Sequence, residues 1–302
     1  MKKRPALSAI IFFLAAGSLS AQPFVDLVNA SYQGFQADYK DPADTSYLHN
    51  KTNNIFLNLF LPKEFKNGNV FMFRINSETI NSTAGPQYAY SYRLSAVSLP
   101  LGFKFVTKNK KWETILIGIP KLASDFSDKI SSYDFQYGGI FLQHYVHSDK
   151  LKIKAGLYYN REAFGNFFVP LVGVDWKIND RIYIYGIIPT NYRAEINILK
   201  QKLYTGINFK SYTRSFRLSK SYNHDYVRYD EMQLKLFVDY FVYSKLLVFA
   251  EAGYSIGKNP LQYKYDTAIP ATINAVYTKM KSYPVFNIGL AYRIRMDFEN
   301  KQ

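Results

Sequence analysis

The sequence predicts an all-β chain, a single transmembrane antiparallel β-barrel of the outer-membrane type with about fourteen strands, and three observations predict it. The first is the final run, where Phe286, Ile288, Leu290, Tyr292, Ile294, Met296 and Phe298 alternate with Asn287, Gly289, Ala291, Arg293, Arg295 and Asp297. Successive strand side chains point to opposite faces, so this run has one oily face and one wet face. The second is composition: 27 Tyr and 24 Phe, with no Cys, in 302 residues. Barrels place such rings at both lipid interfaces, where one end is apolar and the other wet. The third is that no segment after the leader approaches the roughly 20 apolar residues of a membrane helix. Alternating segments recur instead, and because only alternate residues meet lipid, averaged hydropathy hides them.

Taken in order, the elements begin with an export signal. Lys2, Lys3 and Arg4 form a basic region, an apolar stretch runs from Ala6 to Ala16, and Leu19-Ser20-Ala21 offers cleavage before Gln22. The apolar stretch is too short to span about 30 Å of hydrocarbon as a helix. Residues 1–21 are therefore expected to be removed, and 22–302 to form one barrel domain with no plug domain before it. Without cysteine there is no lipid-anchored N-terminus, disulfide framework or thiolate metal site.

Candidate strands follow at 24–38, 54–62, 69–80, 89–106, 112–121, 133–146, 151–162, 167–178, 181–188, 192–199, 203–215, 228–243, 246–256 and 284–298. Short polar turns follow the even-numbered strands: Lys63 to Gly68, Thr107 to Lys111, His147 to Lys150, Asn179-Asp180, Lys200 to Lys202 and Ser244-Lys245. Longer connections, such as 39–53, 122–132, 216–227 and 257–283, follow odd-numbered strands. Short periplasmic turns and longer outside loops produce this parity when both termini are periplasmic. A bend at Pro189-Thr190-Asn191, in place of a hairpin, would reduce the count to twelve.

Charge decides which faces point inward. In 228–243, Met232, Leu234, Leu236, Val238, Tyr240 and Val242 oppose Gln233, Lys235 and Asp239. In 246–256, Leu246, Val248, Ala250, Ala252, Tyr254 and Ile256 oppose Glu251, Gly253 and Ser255, although Leu247 and Phe249 share that second face. A Lys or Arg on the lipid face near midplane costs about 2–4 kcal/mol, so the charged faces are assigned to the lumen. The net charge of +15 suits turns, lumen and lipid headgroups, including lipopolysaccharide phosphates, and an exported chain is not expected to meet nucleic acid.

A family resemblance adds to this. Gly173-Val174-Asp175-Trp176-Lys177-Ile178-Asn179-Asp180-Arg181 is followed by Leu203-Tyr204-Thr205-Gly206 and Tyr226-Val227-Arg228-Tyr229-Asp230-Glu231. Glu251-Ala252-Gly253-Tyr254-Ser255 and Gly289-Leu290-Ala291-Tyr292-Arg293-Ile294 complete the set. Together they resemble an uncharacterised family of Bacteroidota outer-membrane β-barrels, a domain of unknown function. The resemblance implies fold and location and no activity. The final run also resembles the terminal strand by which the barrel assembly machinery recognises its clients, with Tyr292, Ile294, Met296 and Phe298 as that signal.

The lumen is where chemistry is expected. A tight hairpin at Ser244-Lys245 brings Asp239 close to Glu251, with Arg293 and Arg295 on the neighbouring strand. Two carboxylates so near one another need compensating charge. These four residues are the candidates for a lumen constriction or solute site, or for an ion network that fills the barrel. Asp175, Lys177, Glu195 and Lys210 are further luminal candidates, and Arg228 and Asp230 sit at the outer rim. Loop 257–283, with Tyr263, Tyr265, Tyr277 and Tyr283, is the candidate constriction.

An enzyme is not expected. Of four His, His49 and His224 fall in outside loops, His144 on a strand and His147 in a turn, and no H-E-x-x-H appears. Asp225 beside His224 is weak ground for hydrolase chemistry. No metal or cofactor is expected, although Asp41 and Asp44 offer oxygens in the first outside loop. The leading expectation is porin-like passage of small solutes through a charged lumen. A transporter of apolar compounds, a structural or display barrel and, last, an outer-membrane hydrolase are the alternatives.

Overall fold

In the computed structural model of the chain, the described residues are 23–40, 47–84, 92–264 and 282–296. The leader, Asp41, Asp44, Tyr265, Tyr277 and Phe298 lie outside them. Fourteen strands form the wall: β1 Phe24–Lys40, β2 Tyr47–Glu64, β3 Val70–Ala84, β4 in two pieces (Tyr92–Ser98 and Leu101–Val106), β5 Trp112–Ser124, β6 Phe135–Ser148, β7 Leu151–Glu162, β8 Gly165–Lys177, β9 Ile182–Ile188, β10 Asn191–Leu199, β11 Leu203–Arg217, β12 Tyr226–Phe241, β13 Leu246–Tyr263 and β14 Tyr283–Arg295. Each pairs antiparallel with its sequence neighbours, and β1 pairs with β14 from Phe24↔Arg295 to Phe35↔Val285. The sheet therefore closes on itself. Closure pairs the backbone groups that lipid cannot satisfy.

The break in β4 is local. Asn76↔Ser98 and Phe73↔Leu101 keep one register across it. Pro100 lacks an N–H, yet its carbonyl still accepts from Arg74 N at 2.9 Å, so the two pieces act as one strand. The weakest expected pair is a real hairpin: β9 and β10 pair from Ile182↔Ile196 to Ile187↔Asn191, with Pro189-Thr190 as a two-residue tip. The count is fourteen, not twelve.

The short turns all lie at one end, with Phe24 and Arg295. At the other end the parity is looser than expected. The β7–β8 and β9–β10 connections, 163–164 and 189–190, are as tight as any periplasmic turn. Much of the expected loop 39–53 is strand, since β2 begins at Tyr47. His147 likewise belongs to β6, not to a turn.

Facing follows the alternation. Leu234, Leu236, Val238 and Tyr240 on β12 are 58, 66, 46 and 42 % exposed, while Gln233, Lys235, Phe237 and Asp239 between them are at most 1 % exposed. On β14, Phe286, Ile288, Leu290 and Tyr292 face outward, and Asn287, Ala291, Arg293 and Arg295 are buried. Trp112 and Trp176 are exposed at the short-turn end, where a ring with an N–H suits the lipid boundary.

One strand departs from this pattern. Along β11, Arg214, Ser215, Phe216 and Arg217 are all buried in succession. A wall strand shows one face to lipid, so four consecutive buried residues mean that both faces are covered. The upper part of β11 turns inward, and Arg217 makes a parallel contact with Ser124 of β5, far across the ring. Asp125 N–H donates to Arg217 O at 3.0 Å. Phe216, Leu218, Val227 and Tyr229 then pack with Ile80, Leu94, Ala96 and Ala123 of β3, β4 and β5 into a buried apolar cluster inside the outer mouth. Each large side chain so buried contributes about 1.5–3 kcal/mol. Residues 212–229 thus form an inward-folded cap.

Candidate functional site in the lumen

The site is built from inward-facing residues of strands whose other face is oily. Asp26 on β1 and Arg293 on β14 are direct register partners. Arg293 grips Asp26 with two donors, Nε to Oδ1 at 2.5 Å and Nη2 to Oδ2 at 2.9 Å. Its third donor reaches Asp239 of β12. Arg193 of β10 also binds Asp239, at 2.5 Å. The guanidinium carbon of Arg293 lies 3.4 Å from the centre of the Phe24 ring, and that of Arg193 lies 3.3 Å from the centre of Phe237. Flat cations stacked on rings keep their in-plane donors free for carboxylates.

Arg295 takes a different partner. It binds Glu195 of β10 at 2.7 Å and covers the Tyr204 ring at 3.8 Å, while Tyr185 Oη donates to the same carboxylate at 3.1 Å. Glu251 of β13 forms a third centre. Lys235 lies 2.5 Å from it, and Asn208 and Asn287 donate to it at 2.6 and 3.0 Å. Lys210 stands further off, at 3.7 Å.

Asp239 and Glu251 are therefore not the opposed pair that the sequence suggested. The register sets Asp239 against Phe249 and Glu251 against Phe237. The cause is the turn. It closes with Val242 N–H donating to Leu246 O at 2.9 Å, so its loop is 243–245 and not the two residues Ser244-Lys245, and each partner on β13 moves back by one. Each carboxylate lies among its own cations. Arg293 joins Asp239, whereas Arg295 joins neither carboxylate.

Asp175 pairs with Lys154 at 2.5 Å, and Lys177 with Asp180 at 2.7 Å. Arg228 and Asp230 pair at 2.8 Å. Glu113 collects Lys152, Lys104 and His144, with His144 Nδ1 at 3.1 Å. His224 stacks on Tyr133, ring centres 6.0 Å apart, and meets Arg217. Among the described residues no cluster has the composition of a metal site.

A cavity of about 380 Å³ lies within these groups. Its wall carries Lys154, Arg193, Lys210 and Arg293 beside Asp26, Asp175, Asp239 and Glu251, with Asn29, Asn191, Asn208 and Asn287 between. Four cations face four anions, so the chamber is polar and nearly neutral.

The cap above it is held by charge as well as by apolar packing. Arg214 reaches Glu78 on β3 and Glu231 on β12, and Glu162 accepts from Ser215 N at 2.9 Å and from Lys121 at 2.9 Å. Arg217 binds Asp134 at 3.1 Å, in the turn before β6. Asp134 also accepts from Ser131 N–H at 2.6 Å. Burial opposes its charge, but hydrogen bonds from Ser131, Ser124 and Arg217 outweigh that and hold its carboxyl below the ordinary range.

The sequence placed the constriction in 257–283. There Tyr263 stacks on Tyr226 at 5.3 Å and Tyr283 on Phe35 at 4.6 Å, so both belong to strand packing. The described constriction is the 212–229 cap. Arg193 and Asp26 were also missed, although Arg193-Glu195-Asn197 alternates as plainly as β12 does.

No protein-family model matches the chain, and no curated protein matches it. Solved structures that are similar include the P. putida toluene transporter TodX, 9% identical with a TM-score of 0.39 over 89% of each chain. An outer membrane channel from Pseudomonas putida F1 is 8% identical, with a TM-score of 0.43 over 91% of this chain and 98% of that one. The NanC porin is 8% identical, with a TM-score of 0.37 over 88% of this chain and all of that one.

Proposed function

We propose that the protein is a non-enzymatic outer-membrane barrel that passes small polar solutes through a charged lumen. The observation that carries this reading is the chamber of about 380 Å³ with its balanced wall of ions. Such a wall offers hydrogen bonds to a solute without holding either sign of charge tightly. Asp239, Glu251, Arg293 and Arg295 belong to its wall and floor in this reading. The same reading has the chain exported by a cleaved leader and placed by the barrel assembly machinery through Tyr292, Ile294, Met296 and Phe298. It has lipopolysaccharide around the rim and the Bacteroidota barrel family as its kin.

The test is conductance of the refolded protein in a planar bilayer, beside an Arg293→Gln/Arg295→Gln variant. The expected result is small, reproducible channels whose cation preference rises in the variant. A folded barrel that stays silent in both forms, and stays silent when the cap is weakened, would sink the reading. The cap itself favours a second one, a closed structural barrel, and that outcome would select it.

A further inference from the structure

The β9–β10 hairpin is too short for the wall it stands in. β8 pairs with β9 only over Val172–Lys177, and β11 pairs with β10 only over Leu203–Lys210. Ser211 N–H makes the last contact, to Thr190 O at the hairpin tip, at 2.9 Å. Beyond it, Gly165–Leu171 of β8 and Tyr212–Arg217 of β11 have no strand between them among the described residues, though each is fully paired on its other side. At a rise of about 3.3 Å per residue, the β8 edge runs unpaired for about 20 Å, whereas on β11 only Tyr212–Arg214, about 10 Å, are open before Ser215 N–H donates to Glu162.

This gap lies at membrane depth. Trp176 marks the periplasmic boundary, and the gap begins just above Val172. With strands tilted by about 40°, that is about 10 Å up an apolar belt about 25 Å tall. Phe168 and Val172, both 63 % exposed, flank it on the lipid side. Pro170 lies in the unpaired stretch, and proline is at home on a strand edge. Above, the gap is closed by the 163–164 turn, where Ala163 N–H donates to Ser215 Oγ at 2.9 Å and Arg228 covers the Phe164 ring at 4.0 Å. The result is a framed window in the wall, with no backbone across it among the described residues.

Two further observations give the window a use. The chamber reaches its sill, because Ile187, Thr190, Asn191 and Lys210 are part of the chamber wall. The axial way out is blocked among the described residues by the cap. At the sill, Lys210 sits 3.7 Å from a Glu251 that Lys235 already holds at 2.5 Å, so two ammonium groups share one carboxylate there. The frame is apolar on the β8 side, and the sill is cationic.

We propose that the window is a lateral passage between the chamber and the outer half of the bilayer, and that it takes an amphiphile with an apolar body and an anionic head received by Lys210. The proposal rests on the transport reading for what happens beyond the chamber. The window itself is testable without it.

The chain has no cysteine, so a single one reports cleanly. Bimane on Ile187→Cys, in vesicles with brominated acyl chains, is expected to be quenched. Bimane on Asn58→Cys, on the inner face of β2, is not. In ordinary vesicles, 12-bromododecanoate is expected to quench the Ile187→Cys label at about fivefold lower concentration than 12-bromododecanol, the effect of one cation on an anionic head. Lys210→Gln should abolish that preference and Lys210→Arg should keep it. No quenching above the Asn58→Cys level overturns the window. Equal response to acid and alcohol, or a preference that survives Lys210→Gln, overturns the anionic head. Conductance without quenching would leave the polar pore and remove the window; quenching without conductance would support the window and remove the pore.

Discussion

At the scale of single residues, the lumen is a set of charges each fixed by a partner. Lys235 is the sharpest case, being fully buried with Glu251 at 2.5 Å. Removing one member of a buried pair leaves the other uncompensated, which costs about 3–5 kcal/mol. Glu251→Gln is therefore expected to lower the urea stability of the refolded barrel by about that amount, and Glu251→Gln/Lys235→Met to recover most of it. Equal losses in the single and double variants would show that Lys235 is not the stranded charge. In the outer turn, Asp134 is held as a carboxylate below its ordinary range. A depressed folded value means that its stabilisation is complete above the unfolded pKa and is lost as pH falls through the folded one. Protease resistance of the 125–136 segment should therefore fall in acid, below the ordinary aspartate range. Asp134→Asn should be weaker at neutral pH and lose that acid step.

At the scale of elements, each strand is decided by a period of two and by which face can tolerate lipid. β12 shows this well, with Leu236 the most exposed of its outward residues. Leu236→Arg is expected to cost about 2–4 kcal/mol in folding into vesicles, whereas the same change at Tyr243, in the turn, should cost about 0–1. Equal costs at the two sites would mean that the bilayer midplane does not lie at Leu236. The alternation was legible in sequence for β12 and β14 because charged and oily faces separate there, and for β13 in spite of Leu247 and Phe249 on its inner face. The Asp239–Glu251 register was not, because it hangs on whether the turn closes at Val242 or at Tyr243. Arg193 and Asp26 were legible as inward residues, but their meeting with Asp239 and Arg293 joins strands distant in sequence.

At the scale of the whole molecule, the barrel is a closed ring whose outer mouth is filled by its own chain. Phe216 and Leu218 anchor that cap in a fully buried cluster. Phe216→Ala/Leu218→Ala leaves a cavity, each truncation costing about 2–5 kcal/mol of cap packing. Planar-bilayer conductance of this variant is expected to exceed that of the wild type, since the axial route opens while the wall stays intact. Unchanged conductance with a folded barrel would show that another segment closes the pore. The window below the cap belongs to this scale too, since it arises from a mismatch in length between β9–β10 and their neighbours.

The sequence by itself determined the barrel, a strand number of fourteen or twelve, the face that meets lipid and the side on which Arg293 and Arg295 lie. These follow from local alternation and from the cost of a charge in hydrocarbon, which need no knowledge of distant residues. Only the tertiary structure decided which carboxylate each arginine holds, that residues 212–229 fold inward, and that the wall has a gap above Thr190. Each of these depends on register or on contact across the ring, and a pattern that repeats every two residues carries no record of either.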